Sequence, residues 1–444
     1  MLHLLDEYED TAAGRARLQS GLAQHASAVL AARGRGDLQQ VARAEAEVSA
    51  DPRRIVFNES GVATLYACGR AYQAGRFEAP RLSALRARAQ AARTRARDPR
   101  ARCRLFVLDG AGPQTDIGAL QADAPPGSLF QVASQFNCLE SPGSYITRVA
   151  EYVHDPTQGP RASLSAFPGA LLRHYAPALD ALDPVRVPQS SEGAQINLLQ
   201  DVCPPEIAEV RSGYLRAAFV RDPRALARAL DERRDDIRVG VHDGIEVVLG
   251  CDWAGAVAAA PHRTIAQVLT STIAAGMYGG LGEAESAATS LAICRGLQRA
   301  AYLGTLLAAA ALGKDRAVLT LIGGGVFGNP VPLIWETILW AIEQVTPLLH
   351  RDLTVVVNGR NLGQEVPPRE LAQAAQRAGA GHVGGRVLQH DGLVIGTANR
   401  SQHGAPRSTM NDVLDLEALV ARHARRKAYH VSVPNGVVGS GRRA

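Results

Sequence analysis

Lysine is almost missing from this chain. Of 444 residues only Lys314 and Lys427 are lysines, and nearly every other positive charge is an arginine. With the abundant alanine and glycine, that skew points to GC-rich coding rather than to a function. Long apolar runs are missing as well. The chain is 46% hydrophobic, yet no stretch approaches the ~18–20 uninterrupted apolar residues of a transmembrane helix. No membrane partner is therefore expected. The opening MLHLLDEYED has neither a basic n-region nor an apolar h-region, so no secretory signal is expected and the location is read as cytoplasmic. Paired cysteines are absent too. Cys68, Cys103, Cys138, Cys203, Cys251 and Cys294 lie far apart with no C-x-x-C pair, which predicts free thiols and no metal site or disulfide frame. Nine arginines crowd between Arg81 and Arg104 with no aromatic residue among them. A single-strand stacking platform needs aromatics, so a solvated helix face is expected there and nucleic acid is not an expected partner. Internal repeats and low-complexity tracts are absent.

What is present is an alternation of strand and helix patterns. Residues 1–100 are rich in Ala, Arg, Glu and Gln and read as an N-terminal helical region, bounded near Asp98-Pro99. Strands are then predicted at LFVLDG, SLFQVAS, INLLQDV, IRVGVHDGIEVVLG, AVLTLIG and LTVVVN, and helices over 165–174, 262–275, 284–312 and 331–347. Such alternation predicts an α/β layered domain over 101–385 with a mainly parallel or mixed sheet. Residues 386–444 read as a polar C-terminal extension and tail.

The densest signal is LTLIGGGVFGNP. Leu319 to Ile322 reads as a buried strand and Val331 to Val345 as a helix, so Gly323, Gly324, Gly325, Val326, Phe327, Gly328 and Asn329 must turn the chain between them. A glycine loop between strand and helix is an anion cradle, because bare backbone lets a ligand approach N–H groups. A P-loop would end in Lys-Ser/Thr, which is lacking here. The string does satisfy G-x-G-x-x-G, and Asn358 with Arg360 after the next strand could imitate a Rossmann ribose or 2′-phosphate contact. Against that reading, the fingerprint normally opens the first βαβ unit, whereas this loop lies on a late strand.

Two further stretches turn the anion question into a specific one. PQTDIGALQADAPPGSLFQVASQFN resembles the start of a macrodomain, and EYVHDPTQGPRASLSAFPGALLRHY resembles that family's first diphosphate loop. GGGVFGN then resembles its second. The run QVASQFNCLE, Tyr152-x-x-Asp155-x-TQGP, an R-x-Y ending at Tyr175, GVH, QV and LTLIGGGVFGN is similar to macrodomain-like ADP-ribosylhydrolases related to poly(ADP-ribose) glycohydrolase. The nearest group is that of MavL-type bacterial effectors, which remove ADP-ribose from protein arginine. The resemblance covers roughly residues 105–360.

It implies a macrodomain-like three-layer α/β/α fold with a mixed sheet. The implied partners are ADP-ribose and an ADP-ribosylated protein, a ubiquitin-like one among the options, with no cofactor. Asp116 would accept the adenine amino group, Ile117 would offer its backbone N–H, and Asn137 would hold the distal ribose. The pyrophosphate would lie between Thr157, Gln158, Gly159, Pro160 and Arg161 on one side and Gly323–Asn329 on the other. Arg161 stands where a small residue is expected, so it either adds a phosphate contact or narrows the loop. The consecutive glutamates of poly(ADP-ribose) glycohydrolases are absent from SLSAFPGALLR, which counts against cleavage of polymer chains.

Cleaving a glycosidic bond at the ribose anomeric carbon needs a carboxylate or an activated water. Glu140, three residues after Asn137, is the first candidate and Asp155 the second, with Asp243 and Glu246 behind them. His154, His174 and His242 show no ligand spacing and read as structural histidines. Two classes of function stay open: a hydrolase removing mono-ADP-ribose from protein, and a non-catalytic module that reads ADP-ribose.

Overall fold

The computed structural model describes residues 1–371, apart from 7, 9–10, 97–100, 109–114, 142–144, 156, 181–182, 253–254, 275–286, 360–361 and 368, together with the backbone of 383–390 and 393–400. Among the described residues, nine strands join in one sheet. In chain order these are β1 (Ile55–Phe57), β2 (Ala63–Ala67), β3 (Arg70–Glu78), β4 (Cys103–Leu108), β5 (Ser128–Ala133), β6 (Gly240–Glu246), β7 (Thr264–Thr270), β8 (Arg316–Thr320) and β9 (Leu353–Asn358). Their order across the sheet is β1-β2-β3-β6-β7-β5-β8-β9-β4. The five strands from β7 to β4 run parallel, while β1, β2, β3 and β6 pair antiparallel. β8 and β9 are buried at every position, as strands covered on both faces must be.

Side-chain parity identifies the two covering layers. Gln131 of β5 reaches the Ala301 carbonyl and the Thr305 hydroxyl at 3.3 and 3.1 Å. Gln267 of β7 is paired in register with Phe130, one residue earlier on β5, and so points to the opposite face. There it reaches the Ala162 carbonyl at 3.1 Å. In chain order the principal helices are α1 (Ala12–Ala32), α2 (Gln39–Ala50), α3 (Leu82–Arg95), α4 (Ile117–Ala122), α5 (Gln158–Ser165), α6 (Phe167–Tyr175), α7 (Pro223–Glu232), α8 (Ala287–Ala311) and α9 (Val331–Val345). α8 packs with α3, α7 and α9 on the face of Gln131, whereas α5 and α6, with α2 and α4 beside them, cover the other. The expected three-layer α/β/α arrangement with a mixed sheet is what forms.

Several local expectations differ. Residues 1–100 are not only helical: β1, β2 and β3 lie there, and β3 joins the main sheet through Phe77 opposite His242. The segment predicted as a helix over 262–275 is instead β7. Its Thr264-Ile265-Ala266-Gln267-Val268-Leu269-Thr270 run is buried between β6 and β5, and a short buried apolar run fits either period. INLLQDV forms turns, not a strand. The helix expected over 165–174 forms as α6, and α5 ends just before it at Ala166, where ψ is 48° and Pro168 follows. The expected Asp98-Pro99 boundary lies outside the described residues. Of the expected extension over 386–444, the strands Val383–His390 and Leu393–Arg400 pair antiparallel, and residues 401–444 lie outside the described ones.

Of the arginine-rich stretch, Leu82–Arg95 forms α3. Leu82, Leu85 and Ala89 bury its inner side, and Arg81, Arg86 and Arg88 pair with Asp201, Asp235 and Glu78. None of the six cysteines is in a disulfide. Among the described residues, no helix is long and apolar enough to cross a membrane.

Candidate active site

Because β7, β5, β8 and β9 are parallel neighbours, their carboxyl ends open on one edge of the sheet. Ligands of open α/β sheets bind in that crevice. A cavity of about 540 Å³ lies there, and the strand ends contribute Ala133, Ser271, Leu321 and Asn358 to its wall.

Glu140 leaves the end of β5 through a loop that is held tightly from behind. Cys138 adopts a left-handed φ of 62°, and its carbonyl accepts a 3.1 Å hydrogen bond from Arg173 Nε. Arg173, only 1% exposed, also meets His242 Nδ1 at 3.0 Å, while His242 Nε2 lies 2.7 Å from the Ala74 carbonyl. A carbonyl can only accept, so Nε2 carries the His242 proton and Nδ1 accepts from arginine. Burial and the Arg173 charge hold His242 well below its ordinary 6.5. The Glu140 N–H donates to the Tyr152 hydroxyl at 2.9 Å, which in turn lies 2.7 Å from His174 Nε2. His174 is pushed down to about 3 by burial and then by Arg173, so its ring is neutral beside the tyrosine hydroxyl. His174 and His242 are thus structural, as expected.

The Glu140 side chain faces the cavity, is 8% exposed, and its Oε1 has no hydrogen-bond partner. Burial, reinforced by the Asp155 carboxylate and opposed by Arg173, raises its pKa well above 4.5. Asp155 lines the same wall, and its Oδ1 accepts the Thr157 N–H at 2.8 Å. A 3₁₀ turn, Val149–His154, delivers it. That turn is capped by Glu45 of α2, whose two oxygens accept from Val149 and Ala150 at 2.8 Å each. The N-terminal region therefore supports the site directly. Asp243 and Glu246 do not reach the cavity; Asp243 pairs with Lys314 at 2.6 Å and Glu246 with Arg70.

Thr157, Gln158 and Gly159 form one wall at the start of α5, where the first N–H groups of a helix lack intrahelical acceptors. Gly323, Gly324, Gly325, Val326 and Phe327 form the facing wall. Gly323 has φ +74°, and a Cβ there would stand 2.8 Å from Asn329 Nδ2, so this turn needs glycine. Asn329, fully buried, locks the loop from behind: its N–H donates to the Gly323 carbonyl at 2.9 Å and its Nδ2 to the Ile273 carbonyl at 3.0 Å. Gly328 turns the loop with φ +70°. Neither Gly328 nor Asn329 lines the cavity.

Other expected contacts are placed elsewhere. Asp116 is 2% exposed, and its Oδ1 accepts from the N–H groups of Gly118 and Ala119 at 3.0 and 3.2 Å. It caps α4 and does not line the cavity; Ile117 beside it is core. Asn137 is fully buried, bonded to Gln195 Oε1 at 3.0 Å and to the Leu139 N–H at 3.1 Å. Gly213 covers it so closely that a Cβ there would meet Asn137 Cγ at 2.6 Å. Pro160 is buried within α5. Arg161 turns away to Cys251 Sγ at 3.0 Å, so it neither touches nor narrows the phosphate wall. Among the described residues, no group of His, Cys, Asp or Glu converges as a metal site.

With this geometry in view, the chain can be set beside known proteins. No family model and no curated protein matches it. Solved structures do. Poly(ADP-ribose) glycohydrolase from Thermomonospora curvata is 15% identical with a TM-score of 0.34, over 72% of this chain and 93% of its own. A variant of the Deinococcus radiodurans enzyme in complex with ADP-ribose is 15% identical with a TM-score of 0.36, over 67% and 95%.

Among the lining residues not singled out for this role from the sequence are Gln135, Tyr214 and Asn358. Gln135 presents an unpartnered Oε1 while its Nε2 holds the Ser141 carbonyl at 2.9 Å. Tyr214 hydrogen-bonds the same carbonyl and stands 6.0 Å from the Phe327 ring, centroid to centroid. Asn358 also has a buried, unpartnered Oδ1. The sequence did mark Asn358, but as part of a Rossmann alternative. Tyr214 had no local signal, since its neighbours become site residues only through folding.

Proposed function

We propose that the cavity binds ADP-ribose and hydrolyses its glycosidic bond to a protein side chain, on a macrodomain-like scaffold related to the poly(ADP-ribose) glycohydrolases. One observation carries this reading. Glu140 is a buried carboxyl with an unpartnered oxygen and a raised pKa, set beside Asp155 between a helix start and a glycine loop. Two carboxyl groups in one cleft suit glycosidic cleavage, and two backbone walls suit a pyrophosphate.

In this reading the pyrophosphate lies between Thr157–Gly159 and Gly323–Phe327, with the distal ribose over Glu140. Protonated Glu140 gives its proton to the departing side chain as the bond to the anomeric carbon breaks with its electron pair. Water adds to that carbon and loses its proton to Asp155. The Asp155 carboxylate also receives a guanidinium well, which supports mono-ADP-ribosylated arginine, the substrate of the MavL-type group, as the linkage.

The test is incubation with arginine-, serine- and glutamate-linked ADP-ribosyl proteins while released ADP-ribose is followed. Release from the arginine-linked protein is expected. Binding of ADP-ribose with no release from any linkage would leave the non-catalytic reader in place of the hydrolase.

A further inference from the structure

We infer that Glu45, far upstream in α2, is a positioning residue that holds the Glu140 and Asp155 carboxyls in their mutual geometry. This rests on the reading of those two acids as the catalytic pair and names what keeps them together.

One 3₁₀ turn, Val149–His154, touches both acids. Its buried Tyr152 holds one of them at each end. The hydroxyl accepts the Glu140 N–H at 2.9 Å, and the carbonyl accepts the Asp155 N–H at 3.1 Å. The spacing of the two carboxyls therefore follows from where Tyr152 sits, and Tyr152 moves with the turn. The first N–H groups of a helical turn have no acceptor within it. Glu45 supplies one to each of two: Oε1 accepts from Val149 and Oε2 from Ala150, both at 2.8 Å.

Glu45 is itself fixed. It is fully buried, and its Oε1 also accepts the Tyr175 hydroxyl of α6 at 3.0 Å. Arg148 lies 3.7 Å from Oε2 as a partly exposed counter-charge. The same α6 carries Arg173, which holds the Cys138 carbonyl, and His174, which meets the Tyr152 hydroxyl. The clamp is thus closed from α2 through the turn to α6. Glu45 does not line the cavity, so its effect on chemistry runs through the turn alone. An apolar side chain there would leave both turn N–H groups unpaired.

The arrangement has a signature in pH. The charged and titratable groups that bear on Glu140 are Asp155 from the end of the turn, Arg173 from α6, Tyr152 and Cys138. Burial holds Tyr152 well above 10 and pushes Cys138 up to about 12, so both stay neutral. Burial first and Asp155 second raise Glu140, against Arg173. If the turn loosens, water enters and Asp155 recedes, so the Glu140 pKa falls.

The test uses the full chain with Glu45→Ala, which removes both acceptors, and Glu45→Gln, which keeps the shape and one acceptor. Hydrolysis of an arginine-linked ADP-ribosyl protein is followed against pH. Glu140 is also titrated directly by carboxyl NMR, its signal identified by its loss in Glu140→Gln. In Glu45→Ala, kcat should fall by about tenfold or more, while affinity for ADP-ribose barely changes. The high-pH limb of kcat and the NMR titration should both move to lower pH by at least about 0.5 unit, with Glu45→Gln between. A residue that only stabilises the fold would lower Tm and leave both pH values unchanged, which overturns the proposal. Should Glu45→Ala fail to fold, Glu45→Gln decides by the same shift. Should wild type release no ADP-ribose, the hydrolase reading falls, while the NMR shift still decides whether Glu45 positions the two acids.

Discussion

A Cβ on Gly159 would overlap Glu140 Oε1 and stand 2.8 Å from Glu140 Cδ. The carboxyl therefore rests against bare backbone at the start of α5, and the glycine sets where the acid sits. That Cβ would also overlap the Ala133 carbonyl of β5, so Gly159→Ala is expected to strain the contact of α5 with β5 and cost stability as well as displace Glu140. Misplacing a reacting group by about 1 Å costs on the order of 10²-fold, so a similar fall in kcat is expected. Circular dichroism and a melting curve separate this from unfolding. Wild-type turnover in a folded Gly159→Ala protein would show that Glu140 is not the acid.

Glu140 is expected to make opposite contributions to activity and stability. Its folded pKa lies well above 4.5, driven first by burial and then by Asp155. The folded state thus holds the proton more tightly than the unfolded state. The stability this gives is complete below about pH 4.5 and is lost as pH rises toward the folded pKa. Glu140→Gln should raise Tm at neutral pH, with the gain vanishing near pH 4. Turnover should drop by about 10²-fold or more while affinity for ADP-ribose barely changes. The high-pH decline in wild-type kcat should be missing from the variant. Retained hydrolysis in Glu140→Gln would move the catalytic role to Asp155.

The glycine loop offers a steric probe. A Cβ on Gly325 meets nothing within 4 Å, whereas one on Gly324 stands 3.1 Å from Ile334 Cδ1. Gly325→Val therefore projects into open space and should change stability by no more than about 0.5 kcal/mol. Its affinity for ADP-ribose should fall at least tenfold, because the new side chain occupies the proposed pyrophosphate path. Gly323→Ala, forced to φ +74°, should instead lose about 1–2 kcal/mol of stability. Unchanged ADP-ribose affinity in Gly325→Val would remove the loop from the site.

Asp116 should behave as a helix cap. Asp116→Ala is expected to cost about 0.5–2 kcal/mol of stability, read from denaturant unfolding. The affinity ratio of ADP-ribose to ribose 5-phosphate should stay at the wild-type value. A selective loss for the adenine-bearing ligand would return Asp116 to the base.

The sequence by itself determined the features that depend on neighbouring residues. Leu319–Ile322 had to be a buried strand and Val331–Val345 a helix, because apolar spacing sets the period. The turn between them needed Gly323, because only glycine adopts its φ cheaply. Glu140 and Asp155 were legible as candidate acids from their spacing in recognisable motifs. Tertiary structure decided what depends on segments far apart in the chain. TIAQVLT fits two periods, and pairing with β6 and β5 made it a strand. Asp116 and Asn137 carry the right chemistry, but the α4 N–H groups, Gln195 and the cover of Gly213 engage them first. Gln135, Tyr214 and Asn358 share one cavity only because the strand order brings their segments together. The raised pKa of Glu140 is likewise a property of the folded chain, since burial and the approach of Asp155 have no counterpart along the sequence.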